Sequence, residues 1–303
     1  MKTLVTGATG FVGQVLVRQL LAAGHEVVVL TRNIPKAALV LGSKCKYHQW
    51  YDTNTLPPLE AFEGVEGVIN LMGESLANKK WDEKQKTKIY NSRIESTNCL
   101  VEAISKLTIK PKVMVSTSAV GIYGSRGDEE LNEDSTSGSD FLAHVCKDWE
   151  ASANKAMPLG VRVAIIRVGV VLGRGGGALS KMLPIFKLGV GGKLGDGNQY
   201  MSWIHVEDLA GMFIEALTNP EIKGAYNGTA PYPATNAEFS KLLGKVLKRP
   251  AFAPAPAFVL KAILGEMSTI VLDGQKVLPV KFKSKNYRYR YPTLEMSLKE
   301  TAY

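Results

Sequence analysis

The sequence predicts an α/β fold, a doubly wound parallel sheet with a smaller C-terminal lobe. Three observations predict it. A glycine-rich turn joins a short apolar run to a helical pattern within the first residues, and β-rich and helical patterns then alternate through the first half. After Leu172 the texture changes to glycine-rich, basic segments and a proline-bearing tail. Alternation of this kind implies parallel strands with helices on both faces of the sheet. The predicted division places a first domain at residues 1–172 and a second lobe at 173–303, with later strands or helices free to rejoin the first.

Met1–Thr6 reads as an apolar strand that runs into Gly7-Ala8-Thr9-Gly10-Phe11-Val12-Gly13. Gly7 permits a tight turn, Gly10 lets the backbone approach a phosphate, and Gly13 lets the following helix pack against the strand. A helix N-terminus also offers free N–H groups and a partial positive charge to an anion. The turn therefore predicts a dinucleotide, held by Gly7, Thr9, Gly10, Phe11, Val12 and Gly13. Leu16, Leu20 and Leu21 give the helix its apolar stripe, and Gly24 ends it.

Glu26–Leu30 is the second strand. A carboxylate just beyond it would bind the ribose 2′-hydroxyl of NAD. This chain has Thr31-Arg32-Asn33 instead, and no Asp or Glu from Val27 to Tyr51, while Arg32, Lys36, Lys44 and Lys46 are basic. Cations without a nearby anion suit a 2′-phosphate, so the predicted cofactor is NADP(H), with Arg32 as its contact.

Gly67–Leu71 reads as a buried strand ending in Met72-Gly73-Glu74, followed by a helix from about Trp81 to Lys106. Lys112–Ser118 is the next strand. A glycine- and acid-rich loop leads to a helix at about Phe141–Met157, and Val161–Val168 is a further strand. Ligands of such sheets bind beyond the carboxyl ends of the strands, where Gly7, Arg32, Gly73, Ser118 and Gly169 fall. In the second lobe, Gly173–Gly177 and Gly189–Lys193 suit either a second anion or flexible connections. A helix at Ala237–Leu247 is opened by Thr235 or Asn236, with Glu238 in the capping-box position. The tail from Arg249 carries Pro250, Pro254 and Pro256 and an apolar helical stretch through Leu272.

A hydrophobic content of 45% and a charged content of 21% are those of an ordinary water-soluble chain. The net charge of +9 is spread without a basic tail, which favours an anionic cofactor and substrate over nucleic acid. Cys45, Cys99 and Cys146 are far apart and form no disulfide framework or metal motif, which predicts a reducing, cytoplasmic setting. No apolar run reaches the roughly 18 residues of a membrane span, and no signal peptide is predicted.

Several motifs then line up in order: Gly7-x-x-Gly10-x-x-Gly13, Asn70–Gly73, Ser116-Thr117-Ser118, Tyr123-Gly124, Arg167–Val171 and Trp203–Ala210. Together they resemble the extended short-chain dehydrogenase/reductase superfamily, with its Rossmann domain and nucleotide-sugar epimerases. Asn70-Leu71-x-Gly73-Glu74, Ser92-Arg93, Ser118–Gly121, Gly173–Ala178 and Ala234–Phe239 are similar to an atypical branch, the epimerase family proteins. That branch shares a C-terminal segment of unknown function, resembled here by Arg249–Tyr291. The resemblance adds Leu71, Gly73, Glu74, Arg93, Val168 and Gly169 to the cofactor contacts. It implies a serine that polarises the substrate oxygen, mapped onto Ser118, and a lysine on the ribose, mapped onto Lys147. The tyrosine expected four residues before that lysine is Ala143. Tyr123 is then the substitute proton donor, ahead of His144, and His205 occupies a structural position.

Two functions follow from this reading. One is an NADP(H)-dependent oxidoreductase or epimerase acting on a small polar or nucleotide-linked molecule held by the second lobe. The other is a non-catalytic NADP(H)-binding regulatory or scaffold protein. The resemblance also implies a homodimer formed through two helices flanking the sheet.

Overall fold

A computed structural model describes residues 1–302. The chain runs through β1 (Lys2–Thr6), α1 (Phe11–Ala22), β2 (Glu26–Thr31), α2 (Ile34–Leu41), β3 (Lys46–Gln49), β4 (Gly67–Asn70), α3 (Glu83–Lys106) and β5 (Val113–Ala119). It continues through β6 (Glu130–Leu131), α4 (Phe141–Asn154), β7 (Arg162–Val168), β8 (Val170–Leu172), α5 (Leu179–Lys187), β9 (Tyr200–Met201), β10 (Trp203–His205), α6 (Val206–Thr218) and β11 (Gly224–Gly228). The C-terminal part holds β12 (Ala234–Thr235), α7 (Asn236–Leu247), α8 (Ala257–Leu264), α9 (Thr269–Leu272), β13 (Lys276–Val277), α10 (Val280–Ser284) and α11 (Leu294–Thr301).

Seven strands form one sheet in the order β11-β7-β5-β4-β1-β2-β3, and every pairing in it is parallel. Strand order reverses at β1, whose Thr3 pairs with Val27 on one side and Gly67 on the other. A crevice opens at the carboxyl ends of β1 and β4, where such folds bind ligands. Both faces are buried, as a parallel sheet requires. Val5, Val29, Ile69 and Val115 pack under Leu16 and Leu20 of α1 and Leu209 and Phe213 of α6. Leu4, Val28, Val68 and Met114 pack under Leu100 and Ile104 of α3 and Ala153 of α4.

The sheet does not end with the first 172 residues. The helix α6 and the edge strand β11 come from residues 206–228 and rejoin it, β11 pairing along β7 from Gly224↔Ala164 to Gly228↔Val168. The tail returns as well. The buried Asp208 of α6 accepts the N–H groups of Arg290 and Tyr291 at 2.6 and 2.9 Å. The apolar helical stretch to Leu272 consists of two helices, α8 and α9, parted by a 3-10 turn at Gly265–Ser268. Thr235 caps α7 and forms the full capping box with Glu238. The α4 helix stops at Asn154, ahead of the Met157-Pro158-Leu159 turn.

Candidate functional site

The glycine turn sits at the reversal of strand order. Gly7 has φ +66°, and a Cβ on it would lie 2.8 Å from the Leu71 carbonyl oxygen. A Cβ on Gly13 would overlap the Gly7 carbonyl and come within 2.6 Å of the Ala8 oxygen. The first turn of α1 therefore packs on the glycine turn itself, a tighter contact than the helix-on-strand packing implied by the spacing. Gly10 is the N-cap of α1 and no side chain caps the helix. Its first amides, those of Phe11, Val12 and Gly13, are the groups a helix leaves without intrahelical partners. They carry the positive end of the helix dipole.

At the end of β2, Arg32 is exposed and makes no ion pair among the described residues. Asn33 beside it caps α2, its Oδ1 accepting the Lys36 N–H at 2.9 Å. At the end of β4, Gly73 lies against Arg93 of α3, with 3.1 Å from a Cβ position to the guanidinium carbon. Arg93 donates to the carbonyls of Ile89 and Glu74, each at 3.0 Å, and lies 5.2 Å from the centroid of Trp149. Burial holds its pKa below the ordinary arginine range, and it has no carboxylate partner among the described residues. Ser92 Oγ accepts the Glu74 N–H at 2.9 Å. Leu71, Gly73, Glu74 and Arg93 thus form one wall of the crevice. Two cations without counter-ions and an uncapped helix start are the donors that a phosphorylated dinucleotide needs. Among the described residues no group of three or more acidic, His or Cys side chains is placed to hold a metal.

The structure does not bring Ser118, Tyr123 and Lys147 to one point. Ser118 is fully buried and lies beside the Cys146 thiol. Burial pushes that thiol up to about 12, so it is neutral and inert as a base. Tyr123 is fully buried too. Its hydroxyl donates to Asn227 Oδ1 at 2.7 Å and accepts from Arg167 Nη1 at 2.9 Å. Burial raises its pKa, opposed by Arg167. The hydroxyl thus has both its proton and an acceptor position engaged within the protein.

Lys147 is exposed. It opens on a pocket of about 370 Å³ that it shares with Tyr123, Glu150, Asn154 and Arg167, away from the Gly7–Gly13 turn and from Ser118. The reason is helical phase. The buried face of α4 is Ala143, Val145, Cys146, Trp149, Ser152 and Ala153, and one residue turns a helix by about 100°. The α4 residue that meets Ser118 is therefore Cys146, and four residues before it stands Leu142. His144 is exposed, and its Nδ1 lies 2.8 Å from the Asp140 carbonyl. His205 is buried at the start of α6. Its Nδ1 accepts the Glu207 N–H at 3.2 Å, so Nε2 carries the proton that it shares with Glu300 at 3.0 Å.

Two features escaped the sequence reading. The loop Gly173–Gly177 wraps the Phe11 ring. A Cβ on Gly176 would overlap the ring, and on Gly173 it would lie 2.7 Å from Phe11 Cζ. The second glycine cluster packs on the tail, with Ala253 donating to the Gly191 carbonyl at 3.2 Å. The other feature is a small pocket where Gly121, Asp140, Phe141 and Leu142 face Glu266, Thr269, Asp273 and Gln275 of the C-terminal segment, with Trp81 as a side wall. Lys86 of α3 closes its rim by pairing with Glu266 at 2.6 Å. Burial, then the nearby Asp140, push the Asp273 carboxyl above its ordinary range.

The NAD dependent epimerase/dehydratase family matches residues 3–227. The chain belongs to that family. A domain of unknown function matches residues 255–301 of this family member. The chain is 44% identical over 308 residues, 99% of its length and 86% of the relative's, to an epimerase family protein of Arabidopsis thaliana named SDR39U1 homolog, chloroplastic. The crystal structure of human epimerase family protein SDR39U1 with NADPH is similar at 37% identity and a TM-score of 0.88, covering 100% of this chain and 99% of that one. UDP-glucuronic acid 4-epimerase from Bacillus cereus, at 19% identity, shares the fold with a TM-score of 0.81 and covers 98% of that chain and 100% of this one. Among the described residues no helix of this epimerase-family chain is long and apolar enough to cross a membrane.

The helical phase of α4 makes one expectation for this family member. Ala143 is fully buried, so Ala143→Tyr does not install a proton donor. It overpacks the helix and costs about 1–3 kcal/mol, read as a lower denaturation midpoint without a gain in NADPH oxidation.

Proposed function

We propose that this chain binds NADP(H) at the Gly7–Gly13 turn and acts as an oxidoreductase or epimerase on a small polar or nucleotide-linked substrate. The observation that carries the reading is Arg32, exposed and unpaired among the described residues at the end of β2, where no carboxylate stands to receive a ribose hydroxyl. The human relative crystallised with NADPH supports it. In this reading α1 and Gly7 hold the pyrophosphate, Arg32 the 2′-phosphate, and Arg93 an anionic part of the cofactor near Gly73. The bound nicotinamide supplies the hydride. The substrate enters between Leu142 and the C-terminal segment, where the Asp273 carboxyl exchanges the proton in place of a tyrosine. A raised carboxyl is the direction general-acid work requires. The three separated, unbridged cysteines support a reducing, cytoplasmic setting. A homodimer through the helices flanking the sheet belongs to the same reading.

The experiment is a paired titration. Arg32→Asp is expected to weaken NADPH binding by about 10-fold or more through loss of one charge-assisted contact, with NADH binding little changed. Equal loss for both cofactors overturns the 2′-phosphate assignment. A second reading, a non-catalytic NADP(H)-binding protein, is favoured by Leu142 and Cys146 on the α4 face toward β5. Intact NADPH binding without NADPH oxidation across a panel of carbonyl compounds and nucleotide sugars would select it.

A further inference from the structure

We infer that the C-terminal segment serves the cofactor site directly: α11 holds the glycine loop over the start of α1, with Glu300 as the positioning residue. The inference rests on NADP(H) binding at the Gly7–Gly13 turn and assigns a task to the segment that follows the sheet.

The contacts form a continuous chain. Phe11 is the first residue of α1, and its amide is among those left open for a phosphate. Its ring is enclosed by Gly173, Gly176 and Gly177, where the nearest ring atoms leave no room for a side chain. The same loop touches α6, since a Cβ on Gly173 would also lie 2.6 Å from Val206 Cγ1. Its two ends are fixed, Leu172 and Leu179 being fully buried in the core that holds Leu298 of α11. The stretch between them is glycine-rich and exposed at Arg174, Gly175 and Gly177, so it does not hold its own shape.

What fixes it is α11. Arg174 Nε donates to the Glu300 carbonyl at 2.8 Å and lies 3.3 Å from Glu300 Oε1. The other carboxylate oxygen of Glu300 accepts from His205 Nε2 at 3.0 Å. His205 is buried, caps α6 and packs on Tyr291, the rings tilted by 41° with centroids 3.9 Å apart. Glu300 therefore joins the loop, α6 and the tail at one point. The first turn of α6 reaches α1 from its other side, Glu207 accepting from Gln19 at 2.8 Å and pairing with Arg18. Both supports of α1, the ring clasp and the α6 contact, converge on residues held by the C-terminal segment. A surface Arg–Glu pair contributes little to folding. Its effect here is on the loop, and through the loop on the order of the cofactor-binding helix start.

The test is NADPH titration of the full chain by isothermal calorimetry, with amide hydrogen exchange at residues 173–178. Arg174→Ala and Glu300→Ala are each expected to raise the Kd for NADPH about 5–10-fold, the range of ordinary site coupling, and to speed exchange in the loop. The double variant is expected to lose less than the two single losses combined, since the Arg174–Glu300 carboxylate contact is common to both while the Arg174 bond to the residue-300 carbonyl and the His205 bond are each lost in one variant only. Glu300→Gln, whose single amide oxygen can accept from His205 Nε2 while Arg174 keeps the residue-300 carbonyl, is expected to restore most of the affinity. Unchanged Kd in Arg174→Ala and Glu300→Ala, with only a lower denaturation midpoint, overturns the inference and leaves Glu300 a folding residue. A wild-type chain that does not bind NADPH fails the cofactor reading itself, which distinguishes the two.

Discussion

Gly7→Ala is expected to remove NADPH binding, raising Kd by on the order of 100-fold, the loss that a misplacement of about 1 Å produces in a preorganised site. Two costs combine at this position. The backbone stands at φ +66°, and a Cβ would meet the Leu71 carbonyl oxygen at 2.8 Å and its carbon at 2.9 Å. The left-handed conformation costs about 1–2 kcal/mol for a side-chain-bearing residue. The clash adds to it, and the neighbour is backbone at the end of β4, which cannot step aside without shifting the sheet. The turn moves instead, and with it the start of α1, because Gly13 is already packed on the Gly7 and Ala8 carbonyls. Gly24→Ala is the control. Gly24 has φ +78° and no atom within 4 Å of its Cβ position, so the substitution carries the conformational cost alone. It is expected to lower stability and leave Kd unchanged. Similar affinity losses in both variants would show that Gly7 acts through general destabilisation.

The difference between those glycines marks what was legible in the sequence. The strands were legible because a sheet buried on both faces needs unbroken apolar runs, and Leu4-Val5, Val27–Leu30 and Val113–Val115 are such runs. The NADP(H) reading rested on residue type over a short span, and Arg32 is where that span placed it. The assignment of Lys147 rested on residue type without phase. The apolar stripe Val145, Cys146, Trp149 and Ala153 carried the phase and puts the lysine outside. Tyr123 was not legible, since its partners Asn227 and Arg167 come from β11 and β7. Nor was the role of Gly173–Gly177: glycines look alike in a phosphate cradle, a connector and a clasp around an aromatic ring. Only the fold brings Phe11 and α11 to the two sides of that loop.

Glu150→Gln is expected to destabilise the chain by about 3–5 kcal/mol, the cost of stranding a buried charge. Arg167 Nε and Nη2 reach the two Glu150 oxygens at 2.8 and 3.0 Å, with side-chain exposures of 11% and 12%. Burial opposes the guanidinium charge, and the carboxylate more than offsets it, so its pKa stays above the ordinary arginine range. The same guanidinium holds Tyr123 and the Glu133 carbonyl through Nη1. The pair thus ties α4 to β7, and through Tyr123 and Asn227 to β11 and the tail, where Asn227 donates to the Leu278 carbonyl at 3.0 Å. Tyr123→Phe takes one hydroxyl from this network and leaves Asn227 Oδ1 and Arg167 Nη1 each short of a partner, a cost of about 1–3 kcal/mol. Urea denaturation of both variants, with NADPH titration at native conditions, separates structure from chemistry. A Tyr123→Phe chain that is as stable as the wild type but has lost NADPH oxidation would return the tyrosine to the reaction. The expected result is the reverse, a less stable chain with unchanged cofactor affinity, because the hydroxyl already spends both its donor and its acceptor inside the protein.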